Sequence, residues 1–507
     1  MHIKAYDWIA SHAERTPNAI AMEDLFSNRR YTYQEMNDRV GRLAGHLGDT
    51  CGVQQGDRVA SLSLNNTEML ETQFACQRIG AIWVPLNFRL AIPELEYIAG
   101  DCDIKMIVTD REFEQTSRAV AKTQGIQHII RTNADGSDSP YEAALSAAAP
   151  LTEGVALGLD DNMTIMYTSG TTGRAKGAMI SYSMALFNTI NCAGLCAISA
   201  DSVNYAFMPL FHTGGLNIFA LPVLHSGGRV LIARNFDPGE CLRVMSDPQH
   251  GVTHTLAVPA MLLAMQQHPE FEKSDLGIVQ SFFVGGAPVP VPLLKKWLAA
   301  GVKLQQGFGM TETGPASLCL NADDAELKVG STGKPLLHVD VKVVDKDGQE
   351  VKPGEMGELW LKGPSITTGY WNNPEANEKD FTDGWLHSGD AAMVDEDGYY
   401  YIVDRTKDMY ISGGENVYPA EVEEIIYQLD GIVEVAIIGV EDEKWGEIGR
   451  AIAVISAESD ISEASIIKHC LEQLAKYKVP QSVLFTDALP RNVTGKVLKT
   501  ELREQYG

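Results

Sequence analysis

Residues 167–177 read YTSGTTGRAKG, and the chain on either side is organised around them. Thr168, Ser169, Thr171 and Thr172 supply hydroxyl donors, while Gly170, Gly173 and Gly177 let the backbone approach an anion closely. Lys176 adds a positive charge on a flexible stem. The apolar run 163–166 before the loop reads as a strand, and 178–180 resumes an apolar run after it. In such a strand-to-loop setting, amides and hydroxyls cradle phosphate. A Ser/Thr/Gly loop also serves elsewhere as a plain connector. The stretch is not the phosphate loop of ATPases, which needs Gly-Lys-Ser/Thr after its spacer. Here Lys176 follows Ala175 and precedes Gly177.

Outward from the loop, the pattern is strand and helix in alternation. Toward the N-terminus, 58–64, 81–85 and 104–109 read as strands, with helices at 68–79 and 93–99. Two helices precede them, at 3–12 and 31–47, the second opened by Thr32 with Glu35 three residues on as a capping pair. Toward the C-terminus, strands are expected at 203–208, 229–232, 253–258, 278–284 and 302–305, and helices at 259–268 and 290–300. This rhythm gives an α/β class with two parallel-type sheets, one on each side of about residue 160. From Gly330 the texture turns to short Gly-punctuated strands, a small antiparallel or barrel-like piece. Beyond Lys407 a further small α/β unit is expected, with helices at 419–429 and 463–474 and strands at 433–440 and 451–455. The polar joint DRTK at 404–407 divides a domain 1–404 from a domain 405–507.

At 507 residues the chain exceeds what one core usually supports. Its 45% hydrophobic and 21% charged content is that of an ordinary globular protein. A net charge of −26 argues against a nucleic-acid partner, although a local site can still take ATP whose phosphates are screened by Mg²⁺. The N-terminus carries charges throughout and does not read as a secretory signal, and no segment is long and apolar enough for a bilayer. Of eight cysteines the nearest pair, Cys192 and Cys196, lacks a partner pair for zinc. Reduced thiols and a cytoplasmic location are expected.

Several further clusters carry chemistry. Gln306 opens QGFGMTET, where Gly307, Gly309 and Met310 surround Phe308, a flat face for a base. Thr311 offers a hydroxyl for phosphate and Glu312 a hard oxygen for Mg²⁺. Gly285, Gly286, Ala287 and Pro288 end another strand, where α/β sheets place ligands or simply turn. Asp390, in SGD, could accept from both ribose hydroxyls, and Arg405 could pair with ribose or phosphate. Each also reads as a surface turn or ion pair. Lys496 follows Gly495 in PRNVTGKVLK, where an exposed lysine alone means nothing.

Taken in order, YTSGTTGRAKG, PLFHTGG, GGAP, QGFGMTE, GYW, SGD, YYYIVDRTKDMYISGGENVYP and PRNVTGKVLK resemble the adenylate-forming superfamily of acyl-CoA synthetases, luciferases and peptide-synthetase adenylation domains. The resemblance spans essentially the whole chain. It departs at Ala175, where the family usually has Pro, and at Phe308, where Tyr is more frequent. It implies a large N-terminal domain of two stacked α/β subdomains plus a small barrel-like one, followed by a small mobile α+β C-terminal domain. It also implies an ATP-dependent ligase that forms an acyl-adenylate and then a thioester, with ATP, Mg²⁺ and coenzyme A as cofactors.

By that resemblance, Lys496 bridges the acid's carboxylate and the nucleotide, Lys176 and the loop hydroxyls hold the β- and γ-phosphates, Thr311 the α-phosphate and Glu312 the metal. Phe308 and the GGAP backbone enclose adenine, and Asp390 and Arg405 hold ribose. Lys407 is the hinge. Ser412, Gly413, Gly414 and Glu415 face the thiol, and Lys478 meets a CoA phosphate.

His212 stands beside Phe211 and Thr213, where peptide-synthetase domains carry an Asp, so an α-amino acid is disfavoured as substrate. In the resembling ligases this histidine lies beside the acyl carboxylate. Gly214 and Gly215 leave room after it, and Phe211, Thr213, Gly285, Gly309 and Met310 are expected to wall the acyl pocket. The similarity to bacterial fatty-acyl and feruloyl-type ligases points to a hydrophobic monocarboxylate. Two alternatives stay open: an enzyme that loads a carrier protein, and a nucleotide-binding regulator without catalysis. A homodimer is compatible with the resemblance.

Overall fold

The computed structural model describes residues 3–168, 175–287, 289–405, 408–412, 415–442, 445–457, 459–474, 476–492 and 495–507, with only the backbone of 404, 405, 415 and 416. Two large sheets dominate. One has six strands in the order His128–Thr132, Ile104–Asp110, Arg58–Leu62, Ile82–Leu86, Asn162–Thr168, Lys176–Ser181, parallel except for the last. The other has nine strands, with a parallel centre that includes Arg229–Ile232, Val203–Ala206, His254–Ala257, Ser281–Val284 and Leu304–Phe308.

The division between the sheets does not fall at residue 160. The hairpin Ile20–Asp24 and Arg29–Thr32, absent from the sequence reading, joins the nine-stranded sheet beside Arg229–Ile232. The strands around residues 162–181 join the earlier sheet. Strand partners are chosen by which apolar faces can be covered, which neighbouring sequence does not report.

The expected helix at 31–47 runs Tyr33–Gly45, with Thr32 and Glu35 forming the reciprocal cap. The first helix begins only at Trp8, because Asp7 accepts from Ala10 N and sets the start, while Lys4 bridges to Gly158. Between the sheets lies Thr67–Ile79, in which every residue is buried. A helix covered on all sides carries no polar stripe. Its two acids are instead neutralised: Arg29 pairs with Glu68 at 2.7 Å, and Arg39 grips Glu71 at 2.8 Å and Glu142 at 2.7 Å. Tyr141 also donates to Glu71 at 2.7 Å.

A five-stranded antiparallel sheet, built on Asp340–Val344, Met356–Lys362, Trp385–Val394 and Tyr400–Arg405, packs its inner face into the core of the nine-stranded sheet. The C-terminal unit has separate apolar cores and its own sheet, centred on the hairpin Ile432–Asp442 and Gly446–Ile455. The helices Pro419–Ile426, Glu463–Gln473 and Lys499–Tyr506 flank that hairpin. All eight cysteines are free. Among the described residues no helix is long and apolar enough to cross a membrane.

Replacing Arg39→Met leaves Glu71, fully buried, without its guanidinium, and leaves Glu142 only the longer pairing with Arg29 at 3.4 Å. Breaking a buried pair on one side is expected to cost about 3–5 kcal/mol, read as a lower urea midpoint.

Candidate active site

The C-terminal ends of parallel strands from both large sheets line one solvent-open cavity of about 1510 Å³. Strand ends are where such sheets leave a crevice for ligands. Thr168 and Lys176 face each other as register partners of an antiparallel hairpin and both line the cavity. The Lys176 ammonium pairs with Asp380 Oδ2 at 2.9 Å and lies 4.7 Å from the centroid of the Tyr370 ring. Tyr370 Oη donates to Glu312 Oε1 at 2.9 Å. Glu312, only 5% exposed, sits in the short turn Thr311–Thr313. That turn is held by Met310 N donating to Thr313 Oγ1 at 3.0 Å and by Thr367 N donating to the Glu312 carbonyl at 2.7 Å.

The wall opposite is bare backbone for steric reasons. A Cβ on Gly307 would lie 2.1 Å from Phe283 Cζ, and one on Gly309 would lie 1.5 Å from the Pro315 carbonyl oxygen. Gly285 abuts the Gly307 carbonyl in the same way, at 2.9 Å. The result is a flat slot beside Phe308, suited to a planar base. Met208, Ile218, Leu256, Phe283 and Ala316 contribute apolar side chains to the same lining.

His212 caps the turn Thr213–Gly215, its Nδ1 accepting from Gly214 N at 3.1 Å. Burial lowers its pKa to about 4, so the ring is neutral at physiological pH. With Nδ1 accepting, the proton resides on Nε2, which makes that atom a donor. Of the two glycines that follow, Gly214 lines the cavity, whereas Gly215 does not create the room expected of it. A Cβ on Gly215 would lie 2.3 Å from the Pro209 carbonyl oxygen, so this glycine serves close chain packing.

Lys496 reaches the same cavity from the C-terminal unit, together with Arg491, Asn492 and Leu498. Its backbone N donates to Asn492 Oδ1 at 2.9 Å. Gly495, at φ +82°, brings the loop against Val258, which a Cβ there would approach to 3.0 Å. Arg491 braces the loop by donating to the Gly495 carbonyl and pairing with Glu434.

Thr168, Lys176, Phe211, His212, Thr213, Gly285, Gly286, Gly307, Phe308, Gly309, Met310, Thr311, Glu312 and Lys496 therefore line one space. Ala287 and Asp390 lie beside it rather than on its wall. Asp390 is buried one residue past the lining Gly389, and it is the register partner of Arg405 on the adjacent strand.

Ser412 is buried away from the lining, and Lys478 is ion-paired with Glu421 at 2.6 Å. Ser169, Gly170, Thr171, Thr172, Gly173, Pro288, Lys407, Gly413 and Gly414, with the side chains of Arg405 and Glu415, lie outside the described residues. Sequence reasoning missed Tyr370, Asp380, Arg89, Tyr97 and His387, all on the lining. Only Tyr370 carried a signal, as the centre of GYW.

Among the described residues no group of three or more His, Cys, Asp or Glu side chains could hold a metal by itself. Glu312 offers one hard carboxylate on the lining, linked to Lys176 through Tyr370. That donor set fits Mg²⁺, which keeps waters and substrate phosphates and needs only one or two protein carboxylates.

The fold and this site together are those of an adenylate-forming enzyme. The chain belongs to the AMP-binding enzyme family: "AMP-binding enzyme" matches residues 9–371 and "AMP-binding enzyme C-terminal domain" matches residues 421–496. Feruloyl-CoA synthase of an Amycolatopsis species is 41% identical over 99% of this chain and 98% of its own length. The long-chain-fatty-acid–CoA ligase FadD13 of Mycobacterium tuberculosis is 38% identical, with 99% of each chain covered. The crystal structure of ATP-bound MatB from Rhodopseudomonas palustris superposes with a TM-score of 0.92 at 33% identity, covering 99% of both chains.

The lowered His212 value also predicts a pH dependence. Between an unfolded value of 6.5 and a folded value of about 4, the unfolded chain binds the extra proton. The stability tied to this ring is intact above that window and lost as pH falls through it. His212→Gln removes the effect. The variant's urea midpoint is expected to fall less than the wild type's when pH drops from about 7 to about 5.

Proposed function

We propose that the protein is an ATP-dependent carboxylic acid–CoA ligase acting on a hydrophobic monocarboxylate, aryl-propenoic or fatty acyl. The observation that carries this reading is that Lys176, Glu312 and Lys496, from three separate elements, line one cavity together with apolar side chains. Feruloyl-CoA synthase and the long-chain-fatty-acid–CoA ligase FadD13 are named for acids of this kind.

The chemical problem is electrostatic, because two anions must meet. In the first half-reaction a carboxylate oxygen attacks the α-phosphorus of ATP. The bond to the β-phosphate oxygen breaks, and pyrophosphate leaves. Lys496 would hold the carboxylate and the α-phosphate oxygens together, with Thr311 donating to the same phosphate. Lys176 and the threonine-rich loop would hold the outer phosphates, which leave as a unit. Mg²⁺ bound with the nucleotide would supply charge neutralisation across the phosphate oxygens, held by Glu312. Neutral His212 would donate to the acid through Nε2 without adding charge. In the second half-reaction the thiol sulfur attacks the acyl carbonyl, the thiol proton is lost, and AMP leaves.

Residues 405–507 would turn about Lys407 between the two steps, withdrawing Lys496 and presenting 411–416 to the thiol. The ribose contacts of Asp390 and Arg405, the adenine contacts of 285–288 and the CoA contacts at 412–415 belong to this proposal. A role for Lys478 toward a CoA phosphate would require it to leave Glu421. A cytoplasmic setting accords with eight free thiols. A homodimer rests on the family resemblance alone.

Pyrophosphate release from a panel of acids, with and without CoA, tests the reading. Release is expected to depend on acid, with thioester formed only when CoA is present. A holo-carrier protein accepted in place of CoA would point to the carrier-loading alternative. Lys496→Ala is expected to lower acid-dependent pyrophosphate release by about 10²-fold or more while sparing thioester formation from supplied acyl-adenylate. Lys407→Pro is expected to do the reverse, because proline freezes one backbone setting at the joint.

A further inference from the structure

The ligase reading leaves Tyr370 without a task, although its ring and hydroxyl touch the two groups that would manage the outer phosphates. Its position is tightly determined. Residues 369–371 lie along the strand Lys176–Ser181, with Met179 N donating to the Gly369 carbonyl at 3.1 Å and Trp371 N donating to the Gly177 carbonyl at 2.8 Å. Asn377 clamps the residue from the other side, accepting from Tyr370 N at 2.6 Å and donating to its carbonyl at 3.1 Å. The side chain is 5% exposed and forms part of the cavity wall.

We propose that Tyr370 is a positioning residue that couples the phosphate-binding lysine to the metal-binding carboxylate, and that Asp380 parks that lysine until nucleotide arrives. The hydroxyl fixes the Glu312 carboxylate through the 2.9 Å hydrogen bond to Oε1, leaving Oε2 as the oxygen for a cation. The Lys176 ammonium rests over the face of the same ring and is held there by Asp380 at 2.9 Å. A cation on the ring draws electron density from it and makes the phenol a better donor to the carboxylate. Ammonium and carboxylate are thus set by one rigid side chain. Asp380 occupies the ammonium with a single carboxylate, which a triphosphate carrying more charge can displace. Partners of this kind orient metal ligands, and their loss typically costs tenfold or more in metal affinity.

This assignment rests on the proposed ATP-dependent activity, so the test measures binding without the acid. Calorimetry with ATP plus EDTA, and with ATP plus Mg²⁺, gives the ratio by which Mg²⁺ tightens nucleotide binding. Tyr370→Phe keeps the ring and is expected to reduce that ratio about tenfold while leaving Mg²⁺-free binding near the wild-type value. Tyr370→Leu also removes the seat for Lys176 and is expected to weaken binding in EDTA as well. Asp380→Asn is expected to tighten binding under both conditions. Thermal melting checks folding, and the conservative Tyr370→Phe decides the matter where the leucine variant is unstable. A wild-type ratio in Tyr370→Phe, or equal weakening with and without Mg²⁺, overturns the assignment. Wild-type protein that binds no nucleotide under either condition overturns the ligase reading as well.

Discussion

One ammonium group, that of Lys176, stands between a carboxylate that occupies it and an aromatic ring whose far end holds a second carboxylate. Every part of the surrounding architecture bears on keeping these charges near one another in a cavity that a polyanion can enter. Two carboxylates meet one ammonium here, while Arg89, Lys379, Arg491 and Lys496 bring further positive charge to the same lining. In the reading proposed above, a nucleotide accompanied by Mg²⁺ would draw the lysine from Asp380 and bring Glu312 a cation in one event. Such a local exchange would let an acidic chain take up a polyanion.

The fold meets this requirement by bringing distant strand ends into register. Lys176 comes from the edge hairpin of the six-stranded sheet, Glu312 from the turn after a strand of the nine-stranded sheet, and Tyr370 from a segment laid along the hairpin. The sheets can be stacked this closely because the helix Thr67–Ile79 between them is buried on every side. Its acids are neutralised by Arg29 and Arg39 rather than by water. Glycines at 285 and 309 let backbone face backbone, and Gly307 makes room for the Phe283 ring, beside Phe308 on the lining.

Much of this was legible before any coordinates. The helix Tyr33–Gly45 follows from Thr32 and Glu35, because a reciprocal cap is a local device. The strand–helix alternation follows from apolar spacing, which burial imposes residue by residue. Thr311, Glu312 and Lys176 were singled out by residue type and Lys496 through the family resemblance, which the order of the motifs made apparent, and all four line one cavity. The hairpin Ile20–Asp24 and Arg29–Thr32 was not legible, since a charged edge strand lacks the alternation that marks a half-buried one. Tyr370 and Asp380 were missed because their contacts are with Lys176 and Glu312, remote in the chain.

Local propensity was enough to establish the class of fold, and the order of the motifs was enough to establish the family. Tertiary structure alone decided which strands pair, that Gly215 serves packing rather than leaving room for substrate, and that His212 is neutral. The physical reason is range. Caps, periodicity and motif spacing are written within a few residues, whereas desolvation, close backbone approach and the sharing of one ammonium between partners arise only when remote segments exclude water together.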